Sequence, residues 1–452
     1  MKWSEEQQQA IDKLIDFVNN DEQVLVLTGY AGTGKTSVMN EFVQYLDSTK
    51  GEGYFQLCAP THKAKLVLRK ATGGYDVTTL HSLLSLSPNL NIFNLDYDDL
   101  KFESGGAGAI PYRGLIIVDE ASMISDDMYD LLIDYCRNRK CKVVFVGDIA
   151  QLRPVDNDDV SKVFNNSNTV RLTQIFRQNE ENKLLPILDG LRKSHKTDFE
   201  DAIGDEGSLI IHRDTKEFML LAVELIKKAM RNKNPNLVKL IAYTNSRVNA
   251  FNSCVRRVLF KDNEPYHIGE ILMGCENFTY NHNDFFNSSD YIVVGIKKTQ
   301  RKIPNFVSLP GYDLMLYDVV DNVNRPVFIL DVDNINPDYL DSLAQTIENV
   351  RLDAISAKNR GNKTASKFLW KKYYDMMKSF ATPIPLMFDN RVVKARTFTY
   401  GYAISVHKSQ GSSYNSIFVD MNNLLLDRDK QELRQLQYVA LSRTQTDAHL
   451  LC

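Results

Sequence analysis

The stretch GYAGTGKT, residues Gly29 to Thr36, decides the fold of this chain of 452 residues. It matches the pattern G-x-x-x-x-G-K-[ST], follows the apolar run VLVLT at 24–28 and precedes the helical pattern SVMNEFVQYL at 37–46. Glycines in such a loop let backbone N–H groups turn inward around phosphate oxygens. The stretch therefore predicts a P-loop between a buried strand and a helix.

The residues of this loop predict a nucleotide site with a magnesium ion. We expect the phosphates to be held by Gly29, Ala31, Gly32, Thr33, Gly34, Lys35 and Thr36. The run LIIV at 115–118 leads into Asp119 and Glu120. Asp119 suits the magnesium shell together with Thr36, and Glu120 suits polarisation of the attacking water. The two motifs predict hydrolysis of a nucleoside triphosphate with Mg²⁺ as a cofactor.

Short apolar runs that alternate with helix-length segments predict an α/β fold with buried parallel sheets. They lie at 24–28, 54–58, 115–118 and 143–146, and again at 240–244 and 416–420 in a second region that begins near residue 175. Between these last two, YIVVGI at 291–296 and VFILDV at 327–332 indicate antiparallel strands, and a helical pattern follows from Pro337 to Phe380. A single core stops growing near roughly 250–300 residues, so several domains are expected.

Composition limits the choice of partners and compartment. The net charge is −3 with 25% charged residues, so nucleic-acid binding would need local patches rather than a general basic coat. The six cysteines form no CxxC pair, which argues against a zinc site or a disulfide framework. No apolar run approaches the roughly 20 residues of a membrane span. We expect a soluble cytoplasmic protein without a membrane partner.

Six further blocks decide what the hydrolysis drives. They are APTHKAK (59–65), TLHS (79–82), VGDIAQLRPV (146–155), FRQ (176–178), SVHKSQGSS (405–413) and YVALSRT (438–444). In order and spacing they resemble the motifs of superfamily-one helicases, most closely the bacteriophage Dda-type helicases of subgroup B. Arg153 and Ser413, where RecD-like relatives usually carry proline and glutamate, resemble the Dda-type pattern. Loss of that glutamate is expected to loosen recognition of the ribose.

The resemblance implies two RecA-like P-loop NTPase domains with one ATP site between them. The first domain would comprise residues 1–84 and 113–174, with a β-hairpin pin inserted at 85–112. The second would comprise residues 175–283 and 396–452, with an SH3-like and helical tower insertion at 284–395.

The same resemblance assigns further nucleotide contacts. Gln7 would face the adenine, Gln151 would sense the γ-phosphate, and Gly411 would join the ATP site. Arg177 and Arg443 would approach the γ-phosphate from the second domain. An arginine supplied in this way stabilises the transition state only when the cleft closes, and is worth about 10³–10⁵ in rate.

Polar residues in these blocks imply a track for single-stranded DNA. On the first domain they are Pro60, Thr61, His62, Lys63 and His81, and on the second they are Thr244, Asn245, Ser405, His407 and Lys408. Phe102, just before the turn-forming run SGGAG at 104–108, is the expected wedge at the tip of the pin, unless it only packs the hairpin. Trp370 in WKKYY could stack a base, and an ordinary buried aromatic stripe explains it equally well.

These observations predict an ATP-dependent DNA helicase that moves 5′ to 3′ on single strands and unwinds duplexes in phage replication or recombination. The polarity rests on the resemblance alone. We expect a monomer that works on single-stranded and forked DNA, with single-strand-binding and other replication proteins as partners, in the host cytoplasm if the chain is a phage protein. A translocase without strand separation, an RNA helicase and a nucleotide-dependent switch remain as alternatives.

Overall fold

The computed structural model describes residues 3–84, 86–88, 102–104, 113–154, 160–174, 182–427 and 429–452. The chain forms two compact units. The first contains Met1–Phe218, Ile241–Arg247 and Ser405–Cys452, and the second contains Met219–Leu240 and Val248–Ile404. Within the described ranges, no helix is both long and apolar enough to cross a membrane. All six cysteines are free thiols.

A six-stranded sheet forms the N-terminal part of the first unit. The strands of this part of the chain are β1 (Val24–Gly29), β2 (Phe55–Ala59), β3 (Val77–Thr79), β4 (Leu86–Pro88), β5 (Phe102–Ser104), β6 (Leu115–Val118), β7 (Lys142–Gly147) and β8 (Thr169–Leu172). The helices are α1 (Glu5–Asn19), α2 (Lys35–Lys50), α3 (His62–Ala71), α4 (Leu80–Leu83) and α5 (Asp126–Arg139). The sheet order is β3-β2-β6-β7-β1-β8, and each neighbouring pair is parallel. The four predicted N-terminal strands are confirmed.

Both faces of this sheet are buried, as the unbroken apolar runs require. Leu25 and Leu27 pack into one apolar cluster with residues of α1 and α2, such as Phe42. Val26, which points to the other face, packs into a second cluster with residues of α5, such as Ile133. The sheet is therefore the middle layer of three.

The expected pin contains a short antiparallel pair. β4 and β5 pair so that Pro88 lies opposite Phe102 and Leu86 lies opposite Ser104. The connection between two antiparallel strands must lie between them in sequence, which here means residues 89–101, outside the described residues. The run SGGAG at 104–108 begins at Ser104, the last residue of β5, and the rest of it lies outside the described residues. Phe102 still belongs to the last pair before the connection.

The remainder of the chain supplies the second parallel sheet and an antiparallel one. The strands are β9 (Ser208–His212), β10 (Val238–Ala242), β11 (Ile271–Gly274), β12 (Phe278–Tyr280), β13 (Asn283–Phe285), β14 (Asp290–Lys302), β15 (Ser308–Asp318), β16 (Val323–Leu330), β17 (Leu386–Phe388), β18 (Arg391–Lys394), β19 (Phe398–Tyr400), β20 (Ala403–Ser405), β21 (Tyr414–Asp420) and β22 (Thr444–Leu451). The helices are α6 (Leu184–Lys193), α7 (Thr215–Arg231), α8 (Asn245–Leu259), α9 (Pro337–Asn359), α10 (Lys363–Met377), α11 (Val406–Ser409), α12 (Met421–Leu424) and α13 (Lys430–Leu441).

The second α/β sheet has the order β20-β10-β21-β22-β9. β22 lies between β21 and β9 and is parallel to both, with Leu450 opposite Val419 on one side and Ile211 on the other. The strands predicted at 240–244 and 416–420 correspond to β10 and β21. The mixed α/β class with two parallel-type sheets is confirmed.

The second unit is built on an antiparallel sheet with the order β16-β15-β14-β11-β19. α9 and α10 follow it in sequence, and Leu343 and Ile347 of α9 share an apolar core with Phe328 of β16. The expected insertion spans 284–395, whereas β11 and β19 lie outside these bounds. The antiparallel sheet therefore includes one strand before and one strand after the predicted insertion.

Candidate active site and nucleic-acid interface

The P-loop depends on the backbone conformation of one glycine. Gly34 has a φ of 84°, and a Cβ added there would lie 2.4 Å from Nε2 of Gln7. Only glycine tolerates both the positive φ and the close approach of the Gln7 side chain. The loop then places Lys35 at the first turn of α2, where its Nζ donates to the carbonyl oxygens of Gly29 at 2.5 Å and Tyr30 at 2.9 Å. The lysine therefore rests on the loop that would surround the phosphates.

Carboxylates collect near this lysine because the parallel strands end at one edge of the sheet. Asp119 and Glu120 follow β6, and Asp148 follows the neighbouring β7. Burial lowers the pKa of Lys35, while the negative charges of these three carboxylates oppose the shift. Glu120 has a left-handed φ of 53°, an uncommon conformation for a residue other than glycine. Such backbone strain is concentrated at functional sites.

A magnesium ion fits the oxygen atoms at this edge. Thr36 and Asp119 line the same cavity, and hydroxyl and carboxylate oxygens are ligands that magnesium prefers. Burial and the adjacent Glu120 carboxylate raise the pKa of Asp119. A divalent cation would offset this repulsion, so the residues present suit the ion.

One cavity of about 370 Å³ brings most of the predicted catalytic residues together. Its lining, all within the first unit, includes Ala31, Gly32, Gly34, Lys35, Thr36, Asp119, Glu120, Gln151, Gly411, Ser412, Ser413 and Arg443. Gly411 has a φ of 71°, and an added Cβ would lie 3.7 Å from Oε1 of Glu120. The volume is in the range of small-molecule sites, which run from about 300 to 1,000 Å³.

Arg443 reaches this cavity from the end of α13. Its Nε donates to the carbonyl oxygen of Val439 at 3.0 Å, Nη1 to that of Ser412 at 3.2 Å, and Nη2 to Oγ of Ser442 at 2.8 Å. The residue is only 5% exposed, and no carboxylate in the described ranges forms an ion pair with it. A buried, unneutralised cation at a cavity wall favours an anionic ligand.

Two buried polar atoms at the cavity also call for a polar ligand. Oε1 of Gln151 and Oγ of Ser412 have no hydrogen-bond partner among the described residues. Buried polar atoms in folded proteins are nearly always paired, so exceptions at a cavity wall point to a bound molecule. Gln151 therefore lines the cavity with a free acceptor, and its role as a sensor of the γ-phosphate stays a prediction.

Gln7 occupies a different position from the other predicted nucleotide residues. Its Oε1 accepts from the backbone N–H of Ser4 at 3.2 Å, and its Nε2 donates to the carbonyl oxygen of Thr33 at 3.3 Å. It is buried and is not among the residues that line the cavity. In this structure Gln7 braces the P-loop, and its contact with adenine stays a prediction.

Sequence reasoning missed a hydrogen-bonded bridge between α13 and the P-loop. The hydroxyl of Tyr438 accepts from the backbone N–H of Ala31 at 3.1 Å and donates to Oδ2 of Asp148 at 2.8 Å. The guanidinium of Arg192 lies 3.9 Å from the ring centroid of Tyr30 and 5.5 Å from that of Tyr438. Tyr438 lies inside the YVALSRT block, which was the one signal available in the sequence.

Arg153 makes a second connection to α13. Its Nη2 lies 3.1 Å from Oδ2 of Asp429 and 3.1 Å from Oε2 of Glu432, at the start of that helix. Arg153 therefore joins the loop after β7 to the helix that precedes Arg443.

The predicted DNA residues of the first sheet follow two adjacent strands. β2 and β3 are parallel neighbours, with Ala59 opposite Thr79. Pro60, Thr61, His62 and Lys63 follow β2, and His81 lies in α4 directly after β3. The strand order therefore places both blocks at one edge of the sheet. Burial lowers the pKa of His81, which favours its neutral form.

The predicted DNA residues of the second sheet are also near one another. The rings of Tyr243 and His407 lie 6.2 Å apart, which joins the segment before Thr244 and Asn245 to α11. Oδ1 of Asn423 accepts a hydrogen bond from the backbone N–H of Thr244 at 2.9 Å. Ser405 is the N-cap of α11, and its Oγ accepts a hydrogen bond from the backbone N–H of Lys408 at 3.4 Å.

The predicted residues that remain are Arg177, Phe102 and Trp370. Arg177 lies outside the described residues, and of Phe102 only the backbone is described. Trp370 is half-buried on α10, where its ring lies 5.9 Å from that of Tyr374 and 5.6 Å from that of Tyr373. This aromatic cluster agrees with either interpretation of Trp370.

Comparisons with known proteins agree with this architecture. A family model described as an AAA domain matches residues 2–214, and one described as a UvrD-like helicase C-terminal domain matches residues 400–451. The chain is 24% identical to the ATP-dependent DNA helicase dda of Enterobacteria phage T4, over 98% of both chains. It is also 24% identical to the uncharacterized protein R530 of Acanthamoeba polyphaga mimivirus, over 97% of both chains. A crystal structure of Bacteroides Pif1 bound to single-stranded DNA shares its fold, with a TM-score of 0.51 and 18% identity, over 99% of this chain and 92% of that one.

Proposed function

We propose that this chain, which is a Dda-type helicase of superfamily one, subgroup B, uses ATP hydrolysis to move along single-stranded DNA and to separate duplex DNA. The observation that supports this most directly is the shared cavity. There, Lys35 and Glu120 from the first sheet meet Arg443 from the helix before β22 of the second sheet. Hydrolysis at such a site depends on both sheets, so it can be coupled to their relative movement.

The residues of the cavity have distinct roles in the proposed reaction. Lys35 leaves the carbonyl oxygens of the loop to bind the β- and γ-phosphates, and Glu120 orients the attacking water and takes its proton. Arg443 stabilises the charge that develops on the transferred phosphoryl group. Thr36 and Asp119 would hold a magnesium ion, which would supply neutralisation of phosphate charge. Gln151 senses the γ-phosphate, so the loop that carries both Gln151 and Arg153 would respond to the presence of that phosphate.

The DNA path follows the two sheets. Pro60 to Lys63 and His81 would contact the strand on the first sheet, and Thr244, Asn245 and the residues of α11 would contact it on the second. These side chains suit phosphates and base faces, so binding should depend little on sequence. We propose movement from 5′ to 3′, as the resemblance to Dda-type helicases implies. Partners other than single-stranded and forked DNA, and the monomeric state, remain proposals of the same kind.

The central test combines ATP hydrolysis with strand separation. We expect single-stranded DNA to stimulate hydrolysis strongly, and RNA of the same sequence to do so less. A duplex with a 5′ tail should be unwound faster than one with a 3′ tail. Hydrolysis that ignores added DNA would favour a nucleotide-dependent switch, and streptavidin displacement without unwinding would favour a simple translocase.

Two variants test the assigned chemistry. Lys35→Ala should abolish hydrolysis because the β- and γ-phosphates lose their fixed cation, and Glu120→Gln should bind ATP and turn over very slowly. Asp16→Asn, at an exposed position on α1 outside the cavity, serves as a charge-neutralising control. Normal turnover by a folded Lys35→Ala or Glu120→Gln protein would contradict these roles.

A further inference from the structure

Glu432, at the start of α13, faces two segments that have different tasks in the proposed reaction. Its Oε2 lies 3.1 Å from Nη2 of Arg153, in the loop after β7. Its Oε1 lies 3.8 Å from Nε2 of His407 on α11. Glu432 lies outside the blocks SVHKSQGSS and YVALSRT, so no motif accounts for it. One carboxylate therefore adjoins both the nucleotide loop and the predicted DNA track.

The segment from Asp148 to Arg153 is bonded to α13 near both of its ends. Oδ2 of Asp148 accepts a hydrogen bond from the hydroxyl of Tyr438 at 2.8 Å. Arg153 donates to Glu432, which precedes Tyr438 by six residues, a rise of about 9 Å along the helix. Gln151 lies between these two bonds and lines the nucleotide cavity. The position of Gln151 therefore depends on the bond between Arg153 and Glu432.

Asp429 makes a similar contact with Arg153 but does not connect it to α11. Its Oδ2 lies 3.1 Å from Nη2 of Arg153, and its Oδ1 accepts from the backbone N–H groups of Gln431 and Glu432 and so caps α13. Within the described ranges, His407 forms an ion pair with Glu432 and not with Asp429. The side chain of Glu432 is 23% exposed and that of Asp429 is 43% exposed, so solvent screens Glu432 less.

The surroundings of His407 make its contact with Glu432 sensitive to a phosphate. The imidazole packs beside Tyr243, and burial lowers the pKa of His407, while the charges of Glu432 and Asp427 oppose the shift. The charge of Glu432 is therefore balanced mainly by Arg153. A DNA phosphate on α11 would accept a hydrogen bond from His407 and would repel Glu432, because like charges at short range raise the energy of both. This repulsion favours a closer bond between Glu432 and Arg153.

We propose that Glu432 is a positioning residue that makes ATP hydrolysis respond to DNA: a strand on α11 drives its carboxylate onto Arg153, and Arg153 fixes the loop that carries Gln151. The inference rests on the proposed helicase function and deepens it, because it names a residue through which the two sites of this chain act on each other. Glu432 itself touches neither the nucleotide nor the strand. By linkage, a ligand that resembles the transition state must strengthen DNA binding by the same factor as DNA strengthens binding of that ligand.

Binding measurements test this link without hydrolysis. ADP with aluminium fluoride resembles the transferred phosphoryl group, so it should tighten binding of a single-stranded oligonucleotide to the wild-type protein. Glu432→Gln keeps the size of the side chain and removes its charge. It should reduce this tightening by about threefold to tenfold and leave DNA affinity without nucleotide unchanged. Fluorescence anisotropy measures both affinities, and undiminished tightening in the folded variant would overturn the proposal.

Asp429→Asn is the matched control. It removes the other carboxylate bonded to Arg153, and asparagine is as good an N-cap as aspartate, so α13 keeps its first turn. The tightening by ADP with aluminium fluoride should stay near the wild-type value. Equal losses in Asp429→Asn and Glu432→Gln would show that any carboxylate beside Arg153 suffices, which would overturn the link from α11.

Steady-state hydrolysis provides a second readout. Glu432→Gln should lower kcat at saturating single-stranded DNA by about threefold to tenfold and leave the rate without DNA unchanged. Because Glu432 acts through Arg153, the double variant of Glu432→Gln and Arg153→Gln should be no more impaired than Arg153→Gln alone. Additive losses, or an equal loss of the rate without DNA, would show that Glu432 only supports the fold.

The two proposals can fail separately. Hydrolysis that DNA does not stimulate in the wild-type protein would remove the motor function and this link together. Strong stimulation in the wild-type protein, with the same stimulation in Glu432→Gln, would retain the motor and remove only the role of Glu432.

Discussion

Arg443 enters the nucleotide cavity with all three guanidinium nitrogens already bonded to protein oxygens. In the proposed reaction Arg443 would exchange some of these bonds for the γ-phosphate, so it should act in the transition state more than in binding. Arg443→Ala should lower kcat for DNA-stimulated hydrolysis by about 10³ while changing KM only slightly. Steady-state kinetics measure both. Arg434→Ala, on the same helix and outside the cavity, is the control, and an unchanged kcat for a folded Arg443→Ala protein would remove Arg443 from the mechanism.

A buried histidine pair should make stability depend on pH. Nε2 of His212 lies 3.0 Å from Nδ1 of His449, and burial together with His212 lowers the pKa of His449 to about 4. Its ring also stacks on that of Phe418, with the ring centroids 4.3 Å apart. The unfolded histidine keeps a pKa near 6.5, so it binds more protons than the folded one between these values. The contribution of His449 to the free energy of unfolding is therefore complete above pH 6.5 and is lost as the pH falls toward 4.

Urea unfolding at about pH 7.5 and about pH 5 measures this effect, which should be on the order of 2–3 kcal/mol. His449→Phe keeps an aromatic ring and should remove this part of the pH dependence. His195→Gln, whose histidine lies outside the pair, should retain it. An equal pH dependence in the wild-type and His449→Phe proteins would contradict the assignment.

Among the elements, α13 is tied to the P-loop through a single hydroxyl. Tyr438→Phe keeps the ring beside Arg192 but leaves the N–H of Ala31 and one oxygen of Asp148 without this partner. Loss of such a buried hydrogen bond costs about 1–3 kcal/mol. The first unit should unfold at correspondingly lower urea concentration. Tyr45→Phe, at a partly buried tyrosine of α2, should change stability little, and equal effects in the two variants would argue against the bridge.

We expect the hairpin of β4 and β5 to be needed for duplex separation but not for movement along a single strand. Phe102 belongs to the last pair before the connection, where a ring could replace the stacking lost at the fork, worth about 1–3 kcal/mol per base. Phe102→Ala should leave DNA-stimulated hydrolysis and streptavidin displacement near normal and sharply reduce duplex separation. A joint loss of thermal stability and of all activities would show instead that Phe102 packs the hairpin.

The elements also show what the sequence can and cannot predict. β1, β6 and β7 were predictable because a buried parallel strand is an uninterrupted apolar run, and the P-loop because its glycine and lysine spacing is local. The short β11 and β19 have no pattern of their own and are defined only by pairing with β14 or with each other. The contacts of Tyr438 and Arg153 join residues far apart in sequence, so no local pattern indicates them.

For the molecule as a whole, a net charge of −3 means that DNA must be attracted by local cations. Affinity for single strands should therefore fall with salt and vary little among mixed sequences. Lys408→Ala should lower the slope of log affinity against log salt by about 0.7, the value for one phosphate contact. Lys13→Ala, on the exposed side of α1, should leave it unchanged. Fluorescence anisotropy at several salt concentrations measures this, and salt-insensitive binding to one sequence would contradict the motor function.

The pairing of β22 with the edge strand β9 determines when the second sheet can be completed during protein synthesis. All strands of the first sheet leave the ribosome early, so that sheet can close while the rest of the chain is still being made. β9 is made long before β22, its one neighbour in the sheet order, and until then it has only an isolated bridge to Ala202. Its hydrogen-bonding edge stays available to other chains for most of translation, as in other proteins with long-range strand pairing. The nascent chain therefore needs protection at β9, and the lining of the cavity is complete only once Arg443 has been made.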